Sequence, residues 1–233
     1  MIAEPDAVPA MAVTVDMAVF TVRDGRFEVL LIRRGKPPFA STLALPGGFL
    51  EPGEDLDQAA QRELIEETGL RPDRVHLEQF RGYGAPDRDP RAHIVTICYL
   101  ALVPGPLLVH AGGDAASVRW VPVDEAVVGG YEMAFDHRNI LADAAHNARL
   151  KLEHTTVATA FCPEQFTVAD LRKVYEIVWG TTLDPRNFHR KVTKIPDFLV
   201  PTGDTTVRDG GRPAALYRAG TATVLQPPLY RPE

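Results

Sequence analysis

The chain is predicted to fold as an α/β sandwich around a mixed sheet, followed by a C-terminal winged helix-turn-helix. Three observations predict it. Strand-like apolar runs separated by turn signals fill the chain up to Leu45 and recur after Val75. One strongly helical block, Asp55 to Thr68, lies between them, the alternation of a mixed α/β sheet and not of a helical bundle. Near residue 150 the pattern changes to helix, turn, basic helix and two short strands. The expected division is a loose tail over 1–10, a first domain over 11–150, the winged helix over 151–222 and an irregular tail over 223–233. The 233 residues, 45% of them apolar, suffice for cores of that size.

Met11 to Val22 reads as a strand, and Asp24-Gly25 as a hairpin turn. Arg26 to Arg34 is a second, largely buried strand. Arg33, Arg34 and Lys36 then cluster beside two prolines. This cluster fits two roles, a solvated loop or a basic edge facing phosphates or a base ring. Leu43 to Leu45 is a short strand leading into Pro46-Gly47-Gly48. In the helical block Leu56, Ala59, Ala60 and Leu64 recur at three- and four-residue spacing and form one apolar face. Gly69 suits the left-handed residue that ends it. Val75 to Tyr83, His93 to Val103 and Ser117 to Val121 read as strands, the second rich enough in β-branched and aromatic residues to be central. Asp124 to Val128 starts a helical turn, and Phe135 to Leu152 is a helix. Thr167 and Asp170 cap a helix from Val168 to Trp179. Asp184-Pro185 opens the next, with Phe188, Val192 and Ile195 on one face and Arg186, Arg190, Lys191 and Lys194 largely on the other. Phe198 to Val200 and Ala214 to Arg218 are strands flanking a polar loop from Thr202 to Pro213. The tail from Leu225, with Pro227 and Pro228, is expected to be irregular.

Charge is unevenly placed. The whole chain carries −6, with 14 basic against 22 acidic residues up to Leu150 and 11 against 9 beyond it. The overall sign argues against an obligate nucleic-acid binder, whereas the asymmetry hints at nucleic-acid contact by the second half. Cys98 and Cys162 make neither a disulfide framework nor a zinc set, and are expected as buried thiols in a reducing cytoplasm. No apolar run approaches a membrane span, and the N-terminus does not read as a secretory signal.

The chemistry concentrates between Gly48 and Leu70. Glu63, Glu66 and Glu67 occupy i, i+3 and i+4 of a helix, which puts three carboxylates on one face. Unneutralised, they repel. Bound Mg²⁺ or Mn²⁺ reverses the sign, since hard cations take oxygen ligands and keep positions for water and phosphate oxygens. Two such metals can bridge a diphosphate and activate the attacking water. Arg62 can brace the cluster, and the Gly47-Gly48 turn allows the backbone close to metal and phosphate.

This stretch resembles the Nudix box, G-x5-E-x7-R-E-U-x-E-E-x-G-U with U a bulky aliphatic residue. Gly48, Glu54, Arg62, Glu63, Leu64, Glu66, Glu67, Gly69 and Leu70 fit every specified position. The resemblance implies an α/β/α sandwich acting on nucleoside diphosphates linked to another moiety. It implies Glu63, Glu66 and Glu67 as metal ligands, with Gly48 beside them. Arg62 and Glu54 would support the catalytic set, Glu54 through metal-bound waters. The base would be a box glutamate or an acid outside it, among Asp87, Asp89, Glu132 and Asp136. Pro86, 16 residues after Leu70, and the run Arg88-Asp89-Pro90-Arg91 resemble marks of ADP-ribose-recognising members. Ligand contacts are accordingly expected at Arg33, Arg34, Gly47, Pro86, Arg88 and Arg91.

The segment from Phe161 to Lys194 is similar to the C-terminal domain of Nudix-related transcriptional regulators of NAD metabolism. That resemblance implies a homodimer gripping operator DNA and releasing it when ADP-ribose binds. Arg190, Lys191 and Lys194 would meet phosphates, Arg186, Asn187 and His189 base edges, and Arg208 and Arg212 would be wing contacts. The other reading of these charges is the solvated face of an amphipathic helix in a dimerisation domain. The box is often decayed in such regulators and is intact here. Three functions therefore stand: an ADP-ribose-sensing DNA-binding regulator, a dedicated ADP-ribose pyrophosphatase giving AMP and ribose 5-phosphate with an accessory winged helix, and a Nudix enzyme for another nucleotide.

Overall fold

A computed structural model describes residues 11–105, 109–113, 115–207 and 213–232. The first strands are β1 (Ala12–Arg23) and β2 (Arg26–Arg34), joined at Asp24-Gly25, both at positive φ, 50° and 73°. That is the geometry an Asp-Gly hairpin turn supplies. Their antiparallel ladder runs only over Phe20–Arg23 and Arg26–Val29. Beyond it the two strands splay, and the next segment fills the fork. There β3 (Leu43–Ala44) pairs with β2, and β4 (Gly47–Phe49) pairs with β1. The Gly47-Gly48 turn predicted from sequence is therefore a short strand, held by β1 because glycines leave its backbone free to approach.

The seven-stranded sheet is completed by β5 (His76–Tyr83), β6 (Ile94–Val103) and β7 (Ala115–Pro122). The pair β1 and β6 is parallel, while β5 and β7 lie antiparallel on β6 and β2. Side chains of β1 alternate between two cores, as a strand must. Val15, Met17 and Val19 meet Ala59, Ala60 and Leu64 of α1 (Leu56–Thr68). Ala18 and Phe20 meet Ile140, Leu141 and Ala144 of α3 (His137–His154), with α2 (Val123–Val127) at its side.

The second core does not stop at the sheet. It continues through Phe161 into Val174, Tyr175 and Trp179 of α4 (Val168–Trp179) and Phe188 and Val192 of α5 (Pro185–Val192). A 3-10 turn over Thr156–Phe161 leads in, and β8 (Leu199–Thr206) with β9 (Ala214–Ala219) forms the wing hairpin. Thr167 and Asp170 make the expected capping box, and Asp184 caps α5 through Asn187 N at 2.7 Å. Two expectations need correction. Helix α5 ends at Val192, short of Ile195, because Pro196 disfavours helical backbone before it. Strand β8 runs to Thr206, past the expected end at Val200, by absorbing a bulge between Pro201 and Thr205 with Gly203 at φ 87°.

After Ala219 the described residues form no helix or strand, yet they are docked. Leu225 N donates to His154 O and Leu229 N to Glu153 O, both at 2.8 Å, and both leucine side chains are buried. Among the described residues no helix is long and apolar enough to cross a membrane. Leu225→Ala should cost about 2–5 kcal/mol of stability, read as a lowered urea midpoint of the whole chain, because it empties core space in a segment that sequence patterning leaves irregular.

Candidate functional site

Helix α1 presents its acids because both ends are fixed. Asp55 accepts from Gln58 N at 2.8 Å while Gln58 Oε1 accepts from Asp55 N at 3.0 Å, and Gly69, at φ 70°, closes the last turn onto Ile65 O. Its apolar face carries Glu63 and Glu67 with it, and both are buried. Glu66, on the next face, is half exposed.

One guanidinium organises three of the four box acids. Arg62 donates Nε and Nη2 to the two Glu54 oxygens at 2.8 and 2.9 Å. Its Nη1 reaches Glu63 at 2.7 Å and Glu66 at 3.3 Å, and Nη2 also reaches Phe49 O at 3.0 Å. A fork of fixed donors suits such a shared role. Hydrogen bonding to Arg62 lowers the Glu54 carboxyl below its ordinary range. Burial raises Glu63 despite Arg62, and it raises Glu67 further, to about 8, with Glu63 and Asp16 adding to it. Glu67 receives Gly47 N–H at 2.8 Å. The glycines are needed for contact: a Cβ on Gly48 would overlap the Glu63 carboxylate, and one on Gly47 would overlap Val15 O.

These groups form one wall of a cavity of about 490 Å³. Its floor is a buried polar network. Arg88 donates to Asp136 at 3.1 and 2.8 Å and lies 3.7 Å from Asp16. His137 Nδ1 accepts from Leu45 N at 2.9 Å, which leaves Nε2 facing Asp16 at 3.6 Å. Burial lowers the His137 pKa, so the ring is held neutral. The rim is cationic and aromatic. Arg91, paired to buried Asp89 at 2.7 and 3.0 Å, lies 5.0 Å from the Phe49 ring centre and 5.4 Å from that of Phe135. Arg34 lies 4.8 Å from the Phe135 ring. Guanidinium groups above a carboxylate wall suit a ligand that is anionic and carries or recruits a cation.

Residues 12–144 match the NUDIX domain. The chain belongs to the Nudix family. Its residues 158–219 match the NrtR DNA-binding winged helix domain. The ADPR responsive transcriptional repressor NtrR of Acinetobacter baylyi is 36% identical over 212 residues, which span 90% of this chain and 82% of that protein. An ADP-ribose pyrophosphatase of Methanocaldococcus jannaschii is 40% identical over 117 residues, 50% of this chain and 64% of that one. The crystal structure of Shewanella oneidensis NrtR complexed with a 27mer DNA superposes with a TM-score of 0.77 at 31% identity, covering 89% of this chain and 93% of that one. The NUDIX domain of the same protein, cocrystallised with ADP ribose, gives 0.56 at 33% identity over 63% and 94% of the two chains.

Within this Nudix fold the expected site residues separate. Gly47, Gly48, Arg62, Glu63, Glu66, Glu67, Arg34, Arg88 and Arg91 all line the cavity, and Glu54 reaches it through Arg62. Arg33 does not, because successive strand residues point to opposite faces, and its guanidinium donates to Ser41 O. Pro86 is exposed and outside the cavity. Of the acids outside the box, Asp87 and Glu132 lie away from the cavity, Asp89 lines it, and Asp136 is occupied by Arg88. Arg186, Asn187, His189, Arg190, Lys191 and Lys194 are all exposed on α5 and just beyond it, whereas Arg208 and Arg212 lie outside the described residues. Asp16, His137, Phe49 and Phe135 were not singled out from sequence. Phe49 directly follows the box glycine and was the one within reach.

Among the described residues no three side chains already stand as a metal-binding cluster. Arg62 takes oxygens of Glu54, Glu63 and Glu66 that a cation would share. The donor set nevertheless fits a hard divalent ion. It is all carboxylate, and burial favours the protonated form of Glu67, a place a bound cation would take. The raised Glu67 pKa has a pH signature. The folded chain binds a proton between about 4.5 and 8 that the unfolded chain has released, so stability falls as pH rises through that window. In chelator, Glu67→Gln should therefore be more stable than wild type at pH 8, with the gap closing toward pH 5, measured by urea unfolding at both pH values.

Proposed function

We propose that the chain is an ADP-ribose-responsive DNA-binding repressor, with a sensing unit over 11–150 and a DNA-binding unit over 151–222. The observation that carries this reading is the union of two sites on one core: the box cavity at the start of α3 and the basic face of α5 packed beyond its end. The relatives named for ADP-ribose response and solved with DNA or ADP ribose support it.

In this reading the diphosphate lies between Arg34, Arg91 and the box carboxylates, which a bound Mg²⁺ or Mn²⁺ reconciles with the phosphate charge. Glu63, Glu66 and Glu67 would hold the metal. The metal supplies Lewis acidity toward a phosphoryl oxygen when bound. Arg62 orients Glu54 and Glu63, and Gly47 N–H holds one Glu67 oxygen. Phe49 and Phe135 offer apolar faces to a ring, and Asp16, Arg88, Asp136 and His137 hold the floor rigid. On the other unit, Arg186 and Asn187 start α5 where base edges are reached in a major groove, while Arg190, Lys191 and Lys194 meet phosphates. A dimer of a cytoplasmic protein is the form in which two such helices would read a palindrome.

In a gel shift with promoter DNA, the protein should retain the fragment and lose it as ADP-ribose is added. Arg190→Ala with Lys191→Ala should weaken retention and lower the salt slope by about 2. Absence of retention at low salt, with or without ADP-ribose, ends this reading.

A second reading, hydrolysis, is favoured by one specific observation: every box carboxylate is present, with Glu63, Glu66 and Glu67 on the cavity wall and Glu54 joined to it through Arg62. It predicts release of AMP from ADP-ribose with Mg²⁺ or Mn²⁺, abolished in Glu67→Gln while ADP-ribose binding by calorimetry persists. A wild type that binds ADP-ribose but releases no AMP with either metal would reduce the site to sensing.

A further inference from the structure

The C-terminal segment lies beyond both family matches, which end at 144 and 219. It is nevertheless built into the fold. Thr156 N donates to Thr223 O at 3.2 Å, Thr156 Oγ1 to Ala222 O at 2.7 Å, and the Leu225 and Leu229 amides bind the last carbonyls of α3. Leu229 is buried against the DNA-binding unit, and its neighbour Tyr230 is 66% exposed. Tyr230 stands edge-on to His154 at 6.1 Å, which sets the ring's place at the end of α3.

That place is beside the helix expected to enter DNA. A groove of about 50 Å³ runs between the strap and α5. Trp179, Phe188 and Leu229 are its buried floor, and Asn187, Lys191 and Tyr230 its exposed lips. Asp184 also lines it, with its carboxylate engaged by Asn187 N at 2.7 Å. At about 100° per residue, Arg186 and Arg190 point opposite the buried Phe188 and Val192, and Lys191 sits on the flank facing the strap. A helix lying in a major groove presents its flanks to the two phosphate backbones. The strap therefore brings a phenol to the flank that Lys191 occupies, and the next residue, Arg231, is exposed.

We propose that the C-terminal strap is part of the nucleic-acid interface, with Tyr230 and Arg231 contacting the phosphate backbone alongside Lys191. This rests on the DNA-binding reading above. It makes the interface composite: α5 provides the face aimed at the bases, and a segment outside the winged helix itself widens the phosphate contact on one side. Tyrosine donates one neutral hydrogen bond to a phosphate, whereas arginine also displaces a counterion. The two residues thus carry separable signatures.

The test is fluorescence anisotropy of the full chain with a labelled mixed-sequence DNA duplex across a salt series. Arg231→Ala should flatten the slope of log Kd against log salt by about 0.9, so that between about 50 and 200 mM salt its affinity falls about threefold less than that of the wild type. Tyr230→Phe should weaken binding severalfold with the slope unchanged. Neither should lower the melting temperature, since both side chains are exposed, and ADP-ribose binding by calorimetry should be unchanged. If both variants match wild type in affinity and slope while Arg190→Ala with Lys191→Ala weakens binding, the strap is only a brace and the proposal is overturned alone. If the wild type binds no duplex, the proposal falls together with the DNA-binding reading.

Discussion

Three carboxylates within one and a half turns of a helix, two of them buried, require positive charge, and much of the first unit is arranged to provide it or to make room for it. Arg62 shares a single guanidinium among Glu54, Glu63 and Glu66. Glu67 lies outside its reach, and burial raises its carboxyl to about 8 instead. The splay of β1 from β2 brings Gly47 and Gly48 against these acids, where any side chain would collide. Arg34 and Arg91 add cations at the far rim, each beside an aromatic ring and Arg91 also paired with Asp89. The same arrangement that keeps the metal-free helix stable thus leaves a ready place for a cation and an anion together.

Much of this was legible from residue spacing. The Gly69 stop of α1, the Thr167–Asp170 box of α4 and the burial of Phe188 and Val192 on α5 follow local pattern, whereas Glu66 turns to a more exposed face than Glu63 and Glu67 and Ile195 lies past the end of α5. What sequence could not reveal depends on contacts between distant segments. Asp16 and His137 become one floor because Leu45 N–H takes the imidazole Nδ1 and leaves Nε2 facing Asp16 at 3.6 Å. Arg88 was expected at the ligand. The fold instead commits it to Asp136, 48 residues later, while its edge still faces the cavity. Arg33 and Arg34 are indistinguishable by charge, and only strand alternation, referred to the actual face of the cavity, separates them. The Pro-rich tail carries little local pattern, and its leucines become core only through carbonyls at the end of α3.

The two units are not beads on a linker. Arg149, one turn before the end of α3, donates to Val178 O and to Asp124 at 3.0 Å each, and its own carbonyl accepts Trp179 Nε1 at 3.1 Å. A single side chain and its backbone thereby tie α3 to α2 on one side and to the end of α4 on the other. Glu176 carries the connection onward. It takes Arg172 and the Leu183 amide at 2.8 Å each, fixing the turn that aims α5.

The unbroken α3 has a consequence for thermodynamic reciprocity. Its first residues floor the ligand cavity, and its last carbonyls hold the strap beside the DNA helix. If occupancy of one end weakens binding at the other through that rod, linkage demands that binding there weaken the first by the same factor. Nucleic acid would then act on the nucleotide as much as the nucleotide acts on it, and a chromosome-bound copy would be a poorer reader of its ligand than a free one.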